Sequence, residues 1–597
     1  MTPDQMTRSA DRVATLRTLM TAKNLHGFVI PRADEHQSEY VPPYAERLAW
    51  LTGFTGSAGM AIVLVDRAAI FTDGRYMIQI GNQIDSSVFE VRHIINEPLS
   101  GWLREALNAG CSLAYDPWLH TEEGVKKLRT ACEAVGAALV PVDENLVDRI
   151  WEDQPPRPIG AIEPHPIEFS GEASADKRTR IARLLVDDGI DAAVLTLSDS
   201  IAWLLNIRGS DVPRTPSPLS FAILYADATV DLFAAPSKLN DSVKVHFGDS
   251  VAVAAPEAFA PTVSSLTGRT VLADPANVAD RIFQLLTDAG AVINRQADPC
   301  QLPKACKNEV ELMGAREAHL RDGVALTRFL AWLAREASKG KIDEIGAADR
   351  LEQFRRESDL LRDLSFDTIS GAGPNGAIVH YRVTPETNRK LETGSLYLVD
   401  SGGQYPDGTT DVTRTIAIGP PTAEMQQHFT LVLKGHIALG SAYFPVGTTG
   451  SQVDVLARRA LWEKGLDYDH GTGHGVGSYL GVHEGPQRIS KTPDSVALKP
   501  GMIVSNEPGY YRTGKYGIRI ENLVAVREVE IEGAEKLMLG FETLTLAPID
   551  RALIDIDLLA DPERTWVDDY HAMVRNKIGP LVDVETRMWL DQATAPL

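Results

Sequence analysis

The chain has 597 residues, of which 44% are hydrophobic and 23% charged. That is ordinary globular usage, so whole-chain disorder and a fibrous fold are excluded, and at roughly 100–200 residues per domain the length predicts three to five domains. Lys and Arg number 59 against 81 Asp and Glu, a formal charge of −22, which argues against nucleic acid as the main partner and lets clustered carboxylates hold cations.

Taken in chain order, Met1–Ala10 is polar and has no apolar signal core. No uninterrupted apolar run reaches the ~18 residues of a membrane span, so the expectation is a soluble, cytoplasmic protein. Asp11–Met20 carries apolar residues at helical spacing, and Gly27–Ile30, Ala61–Val65 and Ala68–Phe71 read as short buried strands. Helical periods return around Leu103–Leu107 and Val125–Arg129, and such alternation predicts an α/β layer. The proline-dense stretch from Asp153 to Pro166 reads as a linker. A second unit opens in the same way, with a helix over Asp176–Asp187, a glycine-containing turn and a strand over Asp191–Thr196. Both units also hold an arginine–glycine element, Asp73-Gly74-Arg75 and Arg208-Gly209-Ser210-Asp211. Together these features predict a weak internal duplication. Cys111, Cys132, Cys300 and Cys306 are too scattered for a disulfide framework and read as idle thiols.

A third unit begins near Cys306. Lys307–Arg335 predicts a long amphipathic helix, with Leu312, Ala315, Ala318 and His319 on one face. From Ser365 to about Glu528, short apolar strands alternate with Gly-, Asp- and Thr-rich turns. Gly371-Ala-Gly-Pro-Asn-Gly376 fits the dinucleotide pattern, but that pattern needs a helix opening at its end. Ala377–Tyr381 reads instead as a strand or extended loop, and Pro385 follows closely, so a turn displaying His380 is preferred.

Asp400 ends the apolar strand Leu396–Val399 and Asp411 starts a second strand, with turn chemistry at Pro406-Asp407-Gly408 between them. A hairpin brings the two carboxylates together, and a divalent cation removes their repulsion. His470-Gly-Thr-Gly-His474-Gly-Val-Gly477 is too rich in glycine for the helical zinc-protease motif. It reads as a loop that approaches a ligand or another strand closely; with His483 it places three imidazoles within fourteen positions. Glu507 ends a further apolar strand. Over Ile518–Val524 alternation puts Arg519, Glu521 and Leu523 on one face, Ile518 and Ile520 on the other. Each feature alone has a bland reading as a solvated turn or face. Together they present four carboxylates and a histidine, enough for two divalent ions; oxygen-rich ligation with one nitrogen suits Mn²⁺ and admits Zn²⁺, Co²⁺ or Fe²⁺.

Asp400, Asp411, His474, Glu507 and Glu521 resemble the ligand set of the aminopeptidase P and prolidase family, the pita-bread metallopeptidases. The segments at 407–415, 470–477, 482–486 and 506–511 carry the resemblance, joined by His36–Tyr40, Gly53–Gly59, Thr72–Tyr76 and Trp203–Asp211 in the N-terminal part. The resemblance implies an α/β (α+β) chain with two creatinase-like domains, 1–160 and 161–305, then a pita-bread catalytic domain with a C-terminal extension, 306–597. It implies an Xaa-Pro aminopeptidase, with a prolidase acting on dipeptides as the alternative. The implied metals are two divalent ions, Mn²⁺ first and Zn²⁺ or Co²⁺ possible, with Asp411 and Glu521 bridging them, Asp400 completing one ion's ligands, and His474 and Glu507 the other's. Glu507 is also the implied proton acceptor. His380 and His483 are implied to hold the substrate and move protons, His470 to line the proline pocket, and Arg519 to orient the carboxylates. A homodimer is expected, with peptide substrates and neither nucleic acid nor membrane as partners.

Overall fold

The computed structural model describes residues 3–597 apart from residue 494, with side chains from residue 8 onward. The chain divides into two compact units, one of residues 1–166 and 172–301 and the other of residues 167–171 and 302–597. Among the described residues no helix is long and apolar enough to cross a membrane.

The first unit contains two six-stranded sheets. In the first, the strands run Glu90–His93, Ala68–Thr72, Met60–Leu64, Gly27–Pro31, Ser112–Tyr115, Ala138–Pro141 across the sheet. Met60–Leu64 is antiparallel to both its neighbours, and the remaining pairs are parallel. In the second, the order is Val251–Ala254, Val230–Phe233, Phe221–Tyr225, Ala192–Leu195, Thr270–Leu272, Val292–Asn294. Phe221–Tyr225 is antiparallel to both its neighbours and the rest are parallel. Numbered within each sheet, both follow the order 4-3-2-1-5-6 with identical directions, so the duplication is present in the topology. Parallel strands lie under helices on both faces, which is why Gly27–Pro31 and Ala192–Leu195 are buried at every position and read as unbroken apolar runs.

One landmark of the expected duplication is corrected. Asp73-Gly-Arg75 follows the third strand of its sheet, whereas Arg208–Asp211 precedes the second strand of the other. Arg75 folds back on Asp73, Nη2 to Oδ2 at 2.7 Å. Arg208 donates to the Ile207 carbonyl at 2.8 Å. The two elements share composition, not position.

The second unit opens with the helix Glu309–Glu336, whose start is fixed by a capping box between Asn308 and Glu311. Ala315, Ala318 and His319 are buried along it. A six-stranded antiparallel sheet runs Phe444–Pro445, Met538–Thr543, Asn522–Val529, Ile503–Asn506, Gly473–Gly475, Glu484–Ile489. A three-stranded sheet holds Ile369–Ala372, Ser395–Ser401 and Val412–Ile418. Helices Ala423–Gly440 and Asp561–Ile578 pack Phe429, Val432, Val567 and Tyr570 into one apolar cluster with Ile518 and Ile520.

One further expectation changes, and the turn displaying His380 is present. Ile518–Val524 is not one strand: Tyr516–Arg519 pairs with Gly509–Arg512, the chain breaks at Ile520-Glu521, and Asn522–Val529 joins the large sheet. The glycine pattern at 371–376 ends in the 3₁₀ turn Gly373–Ala377, and Ala377–Tyr381 forms no strand. Glu344 gathers the donors around this turn. Glu344 accepts from the Ala372 amide at 2.7 Å, Asn375 Nδ2 at 2.9 Å, the Tyr381 hydroxyl at 2.9 Å and the Arg389 amide at 3.0 Å.

Candidate metal centre

Strands Ser395–Ser401 and Val412–Ile418 pair with Asp400 opposite Thr413 and Ser401 opposite Val412. That register brings Asp400, near the end of one strand, beside Asp411, which leads into the next. The intervening segment carries its own ribbon, Gly403–Tyr405 against Gly408–Thr409. His474 sits at the centre of the strand Gly473–Gly475, where the sequence predicts a loop. Glycine disfavours strands, but these two permit close packing. A Cβ at 473 would lie 2.0 Å from the Ser505 carbonyl oxygen, and one at 475 would lie 2.4 Å from that of Glu484. Glu507 follows the strand Ile503–Asn506 directly, and Glu521 occupies the break between two strands.

The five residues converge. One ligand atom from each of Asp411, His474 and Glu521 lies within 4.8 Å of the others. His474 Nε2 stands 3.4 Å from Asp411 Oδ2 and 3.6 Å from Glu507 Oε1. Arg519 Nη2 donates to Asp400 Oδ2 at 2.7 Å. The Thr413 hydroxyl donates to Glu521 Oε2 at 2.7 Å and accepts from Arg519 Nε at 3.1 Å. One guanidinium therefore orients two of the carboxylates, one of them through a hydroxyl.

The electrostatics are those of an unneutralised acidic cluster. Burial, with Asp400 and Glu507 adding to it, pushes the Asp411 carboxyl up to about 7. Burial beside Asp411, Asp400 and Glu507 pushes Glu521 well above the usual carboxylate range. Burial alone would lower His474, but Asp411 and Glu507 outweigh it and hold the imidazole at about 9. A cation held here would compete with the protons that these shifts favour. The fit to divalent ions rests on the acceptors themselves: Asp400 Oδ1, Asp411 Oδ1 and Glu521 Oε1 are buried and accept no hydrogen bond. Three orphaned carboxylate oxygens beside one imidazole nitrogen form a hard donor set for divalent metal.

Beyond Arg519, sequence reasoning did not single out the residues that hold this set in place. Tyr511 joins His470 Nε2 at 2.8 Å to Arg519 Nη1 at 2.6 Å, and burial pushes its hydroxyl up to about 12. Arg458 donates to the His470 carbonyl at 2.8 Å while its Nε donates to Asp454 at 2.7 Å, and Asp454 in turn accepts from the Thr472 hydroxyl at 2.5 Å. The histidine-bearing segment is thus tied down from the helix Gly450–Trp462. Only the Tyr511 signal, a tyrosine four residues past Glu507, was visible beforehand. His483 packs edge-on against His474, ring centroids 4.3 Å apart. His380 follows Val379, whose carbonyl accepts from Arg519 Nη1 at 3.4 Å.

Comparison with known proteins agrees with this geometry. Metallopeptidase family M24 matches residues 314–528, and the C-terminal region of peptidase M24 matches 537–597. Creatinase/prolidase N-terminal domains match residues 12–150 and 153–311. The probable Xaa-Pro aminopeptidase P of Talaromyces stipitatus is 41% identical over 99% of this chain and 92% of its own. That of Laccaria bicolor is 42% identical over 99% and 94%. The crystal structure of X-prolyl aminopeptidase from Caenorhabditis elegans, described as a cytosolic enzyme with a di-nuclear active site, superposes with a TM-score of 0.94 at 35% identity, covering 99% of this chain and 100% of that one. This chain, two creatinase-type α/β domains followed by a pita-bread catalytic domain, belongs to metallopeptidase family M24, among the Xaa-Pro aminopeptidases P.

Proposed function

We propose that the chain is an Xaa-Pro aminopeptidase that releases the first residue from peptides with proline second, using two divalent ions, Mn²⁺ foremost. The observation that carries this reading is the convergence of Asp411 and Glu521 with His474, in a cluster where Asp400, Asp411 and Glu521 each keep a buried oxygen without a hydrogen bond. The relatives' names and the di-nuclear site of the Caenorhabditis elegans enzyme support it. Asp411 and Glu521 would bridge the ions, Asp400 would complete one set, and His474 and Glu507 the other. Bound there, the ions lower the pKa of water and polarise the carbonyl before proline.

The remaining work belongs to the chain's own side chains. Arg519 fixes Asp400 directly and Glu521 through Thr413, so each carboxylate keeps one oxygen for metal. Glu507, held by the Ser505 hydroxyl at 3.2 Å, accepts the proton released at its carboxylate. His483 and His380 hold the substrate and pass the proton on. His470, its ring anchored by Tyr511, lines the proline pocket. An Xaa-Pro bond lacks the amide N–H and carries a fixed ring, so a pocket shaped for the ring, with acidic groups near the free amino terminus, selects these peptides. We read residues 1–160, 161–305 and 306–597 as the three domains, the assembly as a homodimer and the location as cytosolic. The observations that favour a peptidase of longer peptides over a dipeptide-only prolidase are the two N-terminal domains and the full-length relatives.

The test is hydrolysis of an Arg-Pro-Pro tripeptide and an Xaa-Pro dipeptide by Mn²⁺-reconstituted protein, with a chelated control. Cleavage of the tripeptide after its first residue, lost on chelation, is the expected result. Cleavage of the dipeptide alone would move the assignment to prolidase.

A further inference from the structure

Glu484 follows His483 directly, and its side chain is only 1% exposed. Two ammonium groups close on its carboxylate. Lys304 Nζ donates to Oε2 at 2.7 Å, and Lys307 Nζ donates to Oε1 in a shorter contact. Both lysines are as deeply buried as the acid. Lysine is almost never buried without a specific partner, because stripping water from an ammonium is costly. Here two are buried on one carboxylate, each on its own oxygen, in charge-assisted bonds that leave the Glu484 side chain a single orientation.

What that orientation serves follows from the strand pairing. Glu484 lies opposite Gly475 in the antiparallel pair Gly473–Gly475 with Glu484–Ile489. The approach is so close that a Cβ on residue 475 would meet the Glu484 carbonyl oxygen at 2.4 Å. His483 immediately precedes the strand that Glu484 opens, and its ring centroid lies 4.3 Å from that of His474, the neighbour of Gly475, where the pairing carries a bulge. Fixing Glu484 therefore fixes the backbone that presents His483 to the site.

We propose that Lys304 and Lys307 are positioning residues for His483: the paired ammoniums lock the Glu484 carboxylate and thereby hold the His483 imidazole edge-on against His474, where it meets substrate. The proposal rests on the aminopeptidase reading above. Neither lysine is placed at the reacting atoms. Their effect passes through His483, which separates this role from general stabilisation of the fold.

The experiment is a double-mutant cycle on the full-length, Mn²⁺-loaded protein with an Arg-Pro-Pro substrate. Lys307→Met is expected to keep the wild-type metal content and to lower kcat by about 10–100-fold, the usual range for an outer partner of a metal site. Combined with His483→Ala, it is expected to add less than about twofold to the loss from His483→Ala alone, since residues acting through one another are non-additive. Losses that multiply, or unchanged kcat and KM in Lys307→Met, would overturn the proposal. Lys304→Met enters the same cycle if Lys307→Met does not fold. If the wild-type protein cleaves no Xaa-Pro peptide, the aminopeptidase reading fails by itself. The crystal structure of Lys307→Met then decides the positioning claim: a displaced His483 ring supports it, and a ring still 4.3 Å from His474 contradicts it.

Discussion

Buried acids in the first unit and at the metal centre of the second are treated in opposite ways. In the first, buried carboxylates are matched by donors. Asp211 accepts from Lys238 Nζ at 2.6 Å, the Leu219 amide at 2.7 Å and the Gly160 amide at 3.0 Å. The buried Arg47 is held by the partly exposed Asp148 through two bonds of 2.6 and 2.8 Å, and the buried Glu35 accepts from Tyr44 at 2.8 Å and from Arg157. Where an oxygen is left over, as at Asp34 and Asp298, its twin accepts backbone amides of the same turn. In the second unit Asp400, Asp411 and Glu521, from separate segments, each leave a buried oxygen unmatched, and Asp411 and Glu521 meet at His474. Burial of an acid is thus no mark of a site. Convergence of acids that the protein leaves unmatched is.

The contrast breaks most visibly at the ligands. Asp411→Ala or His474→Ala is expected to abolish hydrolysis and to lower bound metal, read as kcat/KM beside metal analysis of the same preparation. Full turnover in either variant would undo the ligand assignment. His380→Ala is expected to keep its metal and lose about 10²–10⁴-fold in kcat, the range for a group that transfers a proton in the transition state. Metal loss in that variant would make His380 structural instead.

In the first unit the matching lesion is one of stability. Lys238→Met strands Asp211 in the interior and is expected to lower unfolding stability by about 3–5 kcal/mol in urea, with bound metal unchanged. An unaltered urea midpoint would show that the pair carries no stability.

The smallest effect concerns pH. In metal-free protein Asp411, at about 7, and His474, at about 9, hold their protons more tightly folded than unfolded. Between about pH 4 and pH 9 the folded state therefore carries the extra protons, and these groups remove stability as pH rises. Metal binding displaces those protons. The melting-temperature gap between Mn²⁺-loaded and chelated protein should widen from pH 5 to pH 9. A gap that narrows contradicts the assignment of these two groups.

Much of the site was legible because its residues break local rules. Asp400 ends an apolar strand, and glycines crowd His474 where packing needs them. The repeated sheet of the first unit was legible as a repeated helix, turn and strand order. The arginine–glycine landmark misled because composition says nothing about where in a sheet an element falls. Alternation over Ile518–Val524 assigned the faces but hid the break, since Glu521 and Ile520 are buried on opposite sides whether or not the strand is continuous. Arg458 and the two lysines escaped notice, and Tyr511 showed only as part of the segment 506–511. Arg458 reaches His470 from a neighbouring helix and Lys307 reaches Glu484 across 177 positions, so only the folded chain shows what they hold.

The most direct measurement is anomalous diffraction from crystals of Mn²⁺-loaded protein, recorded at the manganese edge. Two peaks are predicted, both bordered by Asp411 and Glu521, one also by Asp400 and the other by His474 and Glu507. No peak at this cluster, or metal bound elsewhere in the chain, would contradict the claim that the unmatched acids form the metal centre.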